Sequence, residues 1–142
     1  MIRPFGISEA GSLALHAMAF LAWQEKPAST RSVARQLRAS PHHLAKVLGT
    51  LARQGLLISR RGPIGGFILA RRPHEITLLD VLDATEGKPP AGMCIMRTRV
   101  CRRGRCMFRG AHTQSLSLFR NRLKDISLAE ASASFAFRGE AI

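Results

Sequence analysis

Three cysteines are the residues best equipped to do chemistry in this chain. Cys94, Cys101 and Cys106 are separated by six and then four residues, in a stretch with neither helical nor strand periodicity. Structural zinc sites favour Cys-x2-Cys to Cys-x4-Cys knuckles, so the six-residue gap argues mildly against zinc. Three thiolates from one irregular loop can instead wrap an iron-sulfur cluster, with a fourth ligand from elsewhere. Five arginines, Arg97, Arg99, Arg102, Arg103 and Arg105, lie between the first and last cysteine. Their charge favours thiolates over thiols and offsets the negative charge of a thiolate-bound cluster. From spacing alone, a cluster, a zinc or redox-thiol site, and free thiols in a basic loop all remain open. Confinement of all three cysteines to residues 94–106 is not how a disulfide scaffold distributes its staples, and points to a reducing, cytoplasmic setting.

The second chemical feature is positive charge. The 142 residues carry 22 Lys and Arg against 9 Asp and Glu, a formal charge of +13. Residues 31–72 hold nine basic side chains (Arg31, Arg35, Arg38, Lys46, Arg53, Arg60, Arg61, Arg71, Arg72) and no acid, residues 93–109 hold six arginines and no acid, and the remainder sums to −2. A short charge run is usually a solvated face. An ordinary surface intersperses both signs, however, so a long acid-free stretch of mixed apolar and basic residues points to a polyanionic partner. With 46% apolar residues, the chain is a folded domain and not a disordered polycation. No apolar run approaches the roughly 18 residues of a membrane span. The longest, residues 13–23, is interrupted by His16, and Glu9 and the single Arg3 before it make a poor signal peptide.

These residues need elements to hold them. Residues 8–23 predict a helix, with Ala10, Leu13, Ala14, Ala17, Met18 and Leu21 on one stripe and Ser8 as N-cap. Leu15, Phe20 and Trp23 lie off that stripe, so the helix should be buried on two sides. Residues 27–29 read as a break, after which Ser29 or Thr30 caps a short helix with Val33, Ala34 and Leu37 inward. Ser40-Pro41 is a strong helix start, a capping hydroxyl followed by proline at the first helical position. In the helix that follows, Leu44, Val47, Leu48 and Leu51 form the inner face, and His42, Lys46, Gly49 and Arg53 the outer one, flanked by His43 and Thr50. Gly55 is placed as a left-handed cap. Two β-prone runs, 56–59 and 67–70, are joined by the glycine-rich turn 60–66. Helix, turn, helix and hairpin in this order predict a winged helix-turn-helix, mainly α with a small β-hairpin wing. Thr77 and Asp80 open a further helix over 78–85, residues 86–92 form a breaker-rich linker, and a long helix from about 108 to 125 carries Leu116, Phe119, Leu123 and Ile126.

Such a fold offers one helix to a major groove and a hairpin to a neighbouring minor groove. His42, Lys46 and Arg53 can donate to base edges, Gly49 permits close approach, and Arg60, Arg61 and Gly62 form the hairpin tip. Arg31, Arg35 and Arg38, with Ser40 at the helix start, suit phosphates, and His43 flanks the reading face. An adjacent histidine pair on a helix diverges too far to bind one metal, so His42 and His43 read as donors or as a plain polar helix start. Neither aromatic platforms for RNA nor a Cys-x-x-Cys redox pair is present, and no nucleophile, base and acid constellation suggests an enzyme.

With these motifs in hand, the chain resembles the Rrf-two family of bacterial winged-helix regulators, over about residues 7–130. The most specific piece is Arg61-Gly62-Pro63-Ile64-Gly65-Gly66-Phe67-Ile68-Leu69, similar to the family wing of Arg-Gly, a variable pair, Gly-Gly and an apolar strand. Gly55-Leu56-Leu57, the three-cysteine loop, and Ile126-Ser127-Leu128-Ala129-Glu130 also match in order. The resemblance implies homodimers whose long C-terminal helices cross, palindromic double-stranded DNA operators, and, in many members, a [2Fe-2S] or [4Fe-4S] cluster that senses redox state, nitric oxide or iron-sulfur status. The expected organisation is 1–86 as DNA-binding domain, 87–107 as cysteine loop, 108–131 as dimerisation helix and C-terminal segment, and 132–142, small, polar and poorly patterned, as a disordered tail. The pattern departs at the fourth ligand. Some members place a histidine three residues after the last cysteine, where this chain has Arg109. Others use an acid on the first helix, where it has Ser12. Glu9 and His16, one turn either side of Ser12, and His112 are the other candidates. The alternatives are a cluster-free zinc or thiol regulator of the same fold, and a small basic RNA-binding protein.

Overall fold

The computed structural model describes residues 7–89, 106 and 108–135. The elements run α1 (Glu9–Gln24), α2 (Thr30–Leu37), α3 (Pro41–Arg53), β1 (Leu57–Arg60), β2 (Gly66–Leu69), a short 3-10 turn (Pro73–Glu75), α4 (Leu78–Glu86), α5 (Arg109–Lys124) and α6 (Leu128–Ser134). The helix starts follow the caps read from sequence: Ser8, Ser29, Ser40 and Thr77 each accept a backbone N–H from the first turn. At Thr77 the Asp80 carboxylate returns a bond to the Thr77 N–H, closing a capping box. Gly55 follows α3 at φ +76°, the left-handed conformation expected of it.

Helix α1 is the hub, packed on α2, α3, β2, α4 and α6. Ala14, Ala17 and Ala19 are fully buried, and their small side chains let the neighbouring helices approach closely. The core continues through Met18 and Leu21 to Leu44, Leu48 and Leu51 of α3, Val81 of α4 and Leu128 of α6. Inner and outer faces of α3 divide as its sequence demands. Leu44, Val47, Leu48 and Leu51 are buried, while His42, Lys46 and Arg53 face solvent.

The wing pairs β1 with β2 antiparallel, from Leu57 opposite Leu69 to Arg60 opposite Gly66. Residues 27–29 are not simply a break. Ala28 bridges Phe67, its N–H donating to the Phe67 carbonyl at 3.0 Å and its carbonyl accepting from the Phe67 N–H at 2.8 Å. This third strand fragment moors the wing to the body. Its register depends on Gly66, at φ +145°, where a Cβ would stand 2.3 Å from the Ala28 carbonyl oxygen.

Two C-terminal readings are corrected. The tail expected to be disordered from residue 132 is helical through Ser134, because Leu128 and Ala131 bury that face of α6 against the core. Glu86, read as linker, is the last residue of α4, and its carboxylate accepts the Ser8 N–H at the start of α1. The α6 cap is joined to the α4 cap by the Leu128 N–H to Ile76 carbonyl bond at 2.8 Å and the Leu78 N–H to Ile126 carbonyl bond at 3.0 Å.

Candidate nucleic-acid interface and cysteine loop

The α2 to α3 unit and the wing each present basic side chains to solvent. Arg31, Ser40, His42, Lys46, Arg53, Arg60, Arg61 and Gly62 are exposed, and His43 is half-buried. Among the described residues, none of the arginines or the lysine in this set pairs with a carboxylate. Their charge therefore remains available to an outside anion. Arg53 is braced along its own helix, donating at 2.9 Å to the Thr50 hydroxyl, which in turn donates to the Lys46 carbonyl at 3.0 Å. A Cβ at Gly49 would meet only the Arg53 guanidinium at 3.6 Å, so nothing inside the fold demands glycine there. Arg38 ends α2 in the left-handed region at φ +51°, a conformation glycine adopts more cheaply, with its charge beside the start of α3.

On the other side of that turn lies a cavity of about 480 Å³. Glu9, Ser12 and His16 of α1 form one wall, and Arg38, Ser40 and His43 the other. Residues three and four apart share a helix face, so three of the four candidate fourth ligands meet here. They differ in commitment. Glu9 lies 3.7 Å from His43 Nδ1, while His16 Nδ1 is 2.7 Å from the Ser12 carbonyl. A carbonyl can only accept, so Nδ1 carries the proton, and in the neutral ring the lone pair is then on Nε2. The ring also stacks edge-on against Phe135, centroids 5.2 Å apart.

Cys106 is half-buried and its thiol is free, directly before α5, whereas Cys94 and Cys101 lie outside the described residues. No group of three or more His, Cys, Asp or Glu that could hold a metal occurs among the described residues. His112 is half-buried in the first turn of α5. Helix α5 runs antiparallel to α4: Leu78 is bonded to Ile126, and Asp83 to Arg120 through contacts of 2.8 and 2.9 Å. At 1.5 Å per residue, Arg109 lies roughly 16 Å along α5 from Arg120, while α4 ends roughly 4.5 Å beyond Asp83. The first turns of α5 thus run past the end of α4, where Phe108 is 53% exposed; Leu118, two residues before Arg120 and level with α4, is 74% exposed.

Neither the Ala28 bridge, the Glu86 cap nor the Asp83–Arg120 pair was visible in sequence. Each joins residues at least 37 positions apart, and only Glu86 gave a hint, as an acid near a predicted helix end.

The sequence profile of Rrf2, described as an iron-dependent transcriptional regulator, matches residues 7–134. The chain belongs to the Rrf2 family. That family is one of transcriptional regulators, not of enzymes. Among similar proteins, a putative HTH-type transcriptional regulator of Aquifex aeolicus is 32% identical over 62% of this chain and 62% of its own length. The HTH-type transcriptional regulator NsrR of Shouchella clausii is 36% identical over 61% of this chain and 60% of its own. The chain thus spans about three fifths of these relatives. Among solved structures, CymR, the global cysteine regulator of B. subtilis, superposes with a TM-score of 0.76 at 26% identity, covering 95% of this chain and 99% of that one. IscR of T. potens superposes at 0.69 with 26% identity, covering 92% and 91%. The winged-helix architecture read from the sequence is the architecture of the family. No described helix is long and apolar enough to cross a membrane.

Proposed function

We propose that this Rrf2-family protein is a homodimeric regulator that binds palindromic double-stranded DNA and senses redox state, nitric oxide or iron-sulfur status through a cluster held by Cys94, Cys101 and Cys106. The DNA reading is carried by one observation: the outer face of α3 and the wing tip are exposed, basic and unpaired with any acid of the described fold. On this reading α3 enters the major groove, Arg60, Arg61 and Gly62 the minor groove, and Arg31 and Ser40 hold phosphates. The exposed apolar residues of α5 supply the surface for a second copy.

The residues fit a cluster in their chemistry. Three soft thiol ligands lie in an arginine-rich segment, and an imidazole whose distal nitrogen is already fixed lines a cavity beside the recognition helix. A ligating histidine usually donates its second ring N–H to a carbonyl or carboxylate, and His16 does so to Ser12. His16 is therefore the favoured fourth ligand over Glu9, Ser12 and His112, contributed to the partner's loop. A bound cluster supplies iron that oxidants or nitric oxide can attack. The chain's own part is to relay the change. Glu9 at the first turn of α1 faces His43 on α3, so a shift of α1 moves the acid against the recognition helix. Decisive switching of occupancy needs a bias of about 5.5 kcal/mol between two dimer arrangements.

A cluster-free thiol or zinc regulator is the second reading, favoured by the likeness to CymR. Anaerobic purification with visible absorption and iron and sulfide analysis separates the two. Wild type should be coloured, Cys101→Ala colourless, and His16→Ala altered in spectrum at unchanged helicity. A wild type that stays iron-free after anaerobic reconstitution overturns the cluster. For DNA, Arg61→Ala should weaken binding and Lys46→Ala should lower the salt slope by about one. Unchanged behaviour in both overturns the docking.

A further inference from the structure

The wing tip carries a large apolar side chain that the fold does not use. Ile64 is 87% exposed, the most exposed of the large hydrophobic residues named in the described fold. Elsewhere in the wing, the apolar side chains of β2 are half-buried. Its setting is rigid. The Gly65 N–H donates to the Gly62 carbonyl at 2.9 Å, closing a four-residue turn in which Pro63 and Ile64 take the two central positions. Proline fixes its own φ, and Ile64 is not among the residues with positive φ, so the turn is of the type I class. Gly65 leaves no slack, since a Cβ there would lie 2.4 Å from the Arg60 carbonyl oxygen and 2.8 Å from that of Gly62. A branched side chain, held at the apex of a closed turn and flanked by Arg60 and Arg61, is presented with little conformational freedom left to lose.

A minor groove is about 6 Å wide, too narrow for a two-stranded ribbon but wide enough for one turn apex. Because Gly62 and Gly65 have no side chains, Pro63 and Ile64 are what the apex would bring to the groove floor. That floor differs between base pairs in one group: G·C pairs project the guanine N2 amino group, and A·T pairs do not. An aliphatic side chain can accept no hydrogen bond from that amine, and would bury it without a partner. We infer that Ile64 is a specificity-determining residue, which makes the wing select A·T pairs by excluding the minor-groove amine while the flanking arginines supply sequence-independent attraction. This rests on the DNA-binding reading above and assigns the wing a readout of its own.

The probe is a duplex recovered by in vitro selection with the wild-type protein, its wing-protected minor-groove positions located by hydroxyl-radical footprinting. Replacing adenine by diaminopurine there adds only the N2 amine, and should weaken wild-type binding by about tenfold. Replacing guanine by inosine in a G·C variant removes the amine and should restore binding. Ile64→Ser offers the amine an acceptor, so it should bind both versions alike, with the wild-type salt slope and thermal midpoint. Arg61→Ala should lose affinity and slope but keep the discrimination. Discrimination retained in Ile64→Ser overturns the inference while leaving DNA binding intact. Failure of the wild type to select any duplex, or to show salt-dependent binding, overturns both together.

Discussion

Gly66→Ala should release the wing from the body of the protein. At φ +145° an alanine is strained, and strain of this kind costs about 1–3 kcal/mol. The new Cβ would also lie 2.3 Å from the Ala28 carbonyl oxygen and 2.8 Å from the Ser29 nitrogen. Both obstacles are backbone, so the relief available is to separate residue 66 from residue 28. That separation breaks the two bonds between Ala28 and Phe67, each worth about 1 kcal/mol net. If the strain and both bonds are lost together, the cost is about 3–5 kcal/mol, a large part of the 5–15 kcal/mol typical of a domain. Gly62 is the control. It also has a left-handed φ, +113°, but a Cβ there meets nothing within 4 Å, so Gly62→Ala carries only backbone strain. Urea unfolding gives the two free energies, and amide exchange at Ala28 and Phe67 shows whether the mooring opens locally or with the whole fold. Equal stability of Gly66→Ala and Gly62→Ala, with the Phe67 amide still protected, would refute the steric account.

The remaining expectations concern the C-terminal half. Arg120→Ala should cost about 2 kcal/mol, because the Asp83 Oδ1 is enclosed and relies on the Arg120 charge 2.8 Å away; in a double-mutant cycle with Asp83→Ala the losses should be clearly less than additive. Glu130 is held below the usual glutamate range, first by the Ser127 backbone N–H and then by the Ser127 hydroxyl. Its folded pKa is thus below its unfolded one, so its contribution is full above the ordinary glutamate pKa and is lost as pH falls through the folded value. The protection of α6 amides, taken relative to intrinsic exchange rates, should fall over that acidic window, and less steeply in Ser127→Ala; pH-independent protection of α6 would refute the assignment.

What the sequence made legible were features encoded within a few residues. A capping serine three positions before the N–H it accepts, proline at the first position of α3, and a 3.6-residue apolar repeat are complete in one turn or two. They placed the starts of α1, α3 and α4 within one residue. The outer face of α3 was readable for the same reason, since residues at 100° intervals must oppose the buried leucines. Features requiring two distant segments were not. Gly66 was readable as a turn glycine, but its reason is the passage of Ala28, 38 positions away. Helix α6 was not read as a helix because seven residues are too few for the apolar repeat to show, and tertiary packing of Leu128 and Ala131 supplies what so short a segment cannot.

The same distinction bears on how a signal in the cysteine loop could reach DNA. The loop is anchored at its near end by α4, whose last residue, Glu86, holds the Ser8 N–H at the foot of α1. At its far end it feeds α5, whose first turns run beyond α4. The two ends of the loop are therefore tied to different parts of the fold. On the proposed reading, a change in the cysteine segment would act on the foot of α1 through Glu86, and on a second copy through the exposed apolar residues of α5. Glu9 and His43 then lie between the foot of α1 and the recognition helix, with the α2 to α3 turn as the other wall. A Cβ at Gly11 would stand 2.3 Å from the Glu86 carboxylate, so glycine at this position is what lets that side chain reach the start of α1. Helix α4 thus meets α1 through the Glu86 carboxylate, and α1 meets α3 through Glu9, which is 76% exposed and 3.7 Å from His43. On the proposed reading, chemistry in the cysteine segment would act on α3 through these surface contacts, with the core of Leu44, Leu48 and Leu51 left packed.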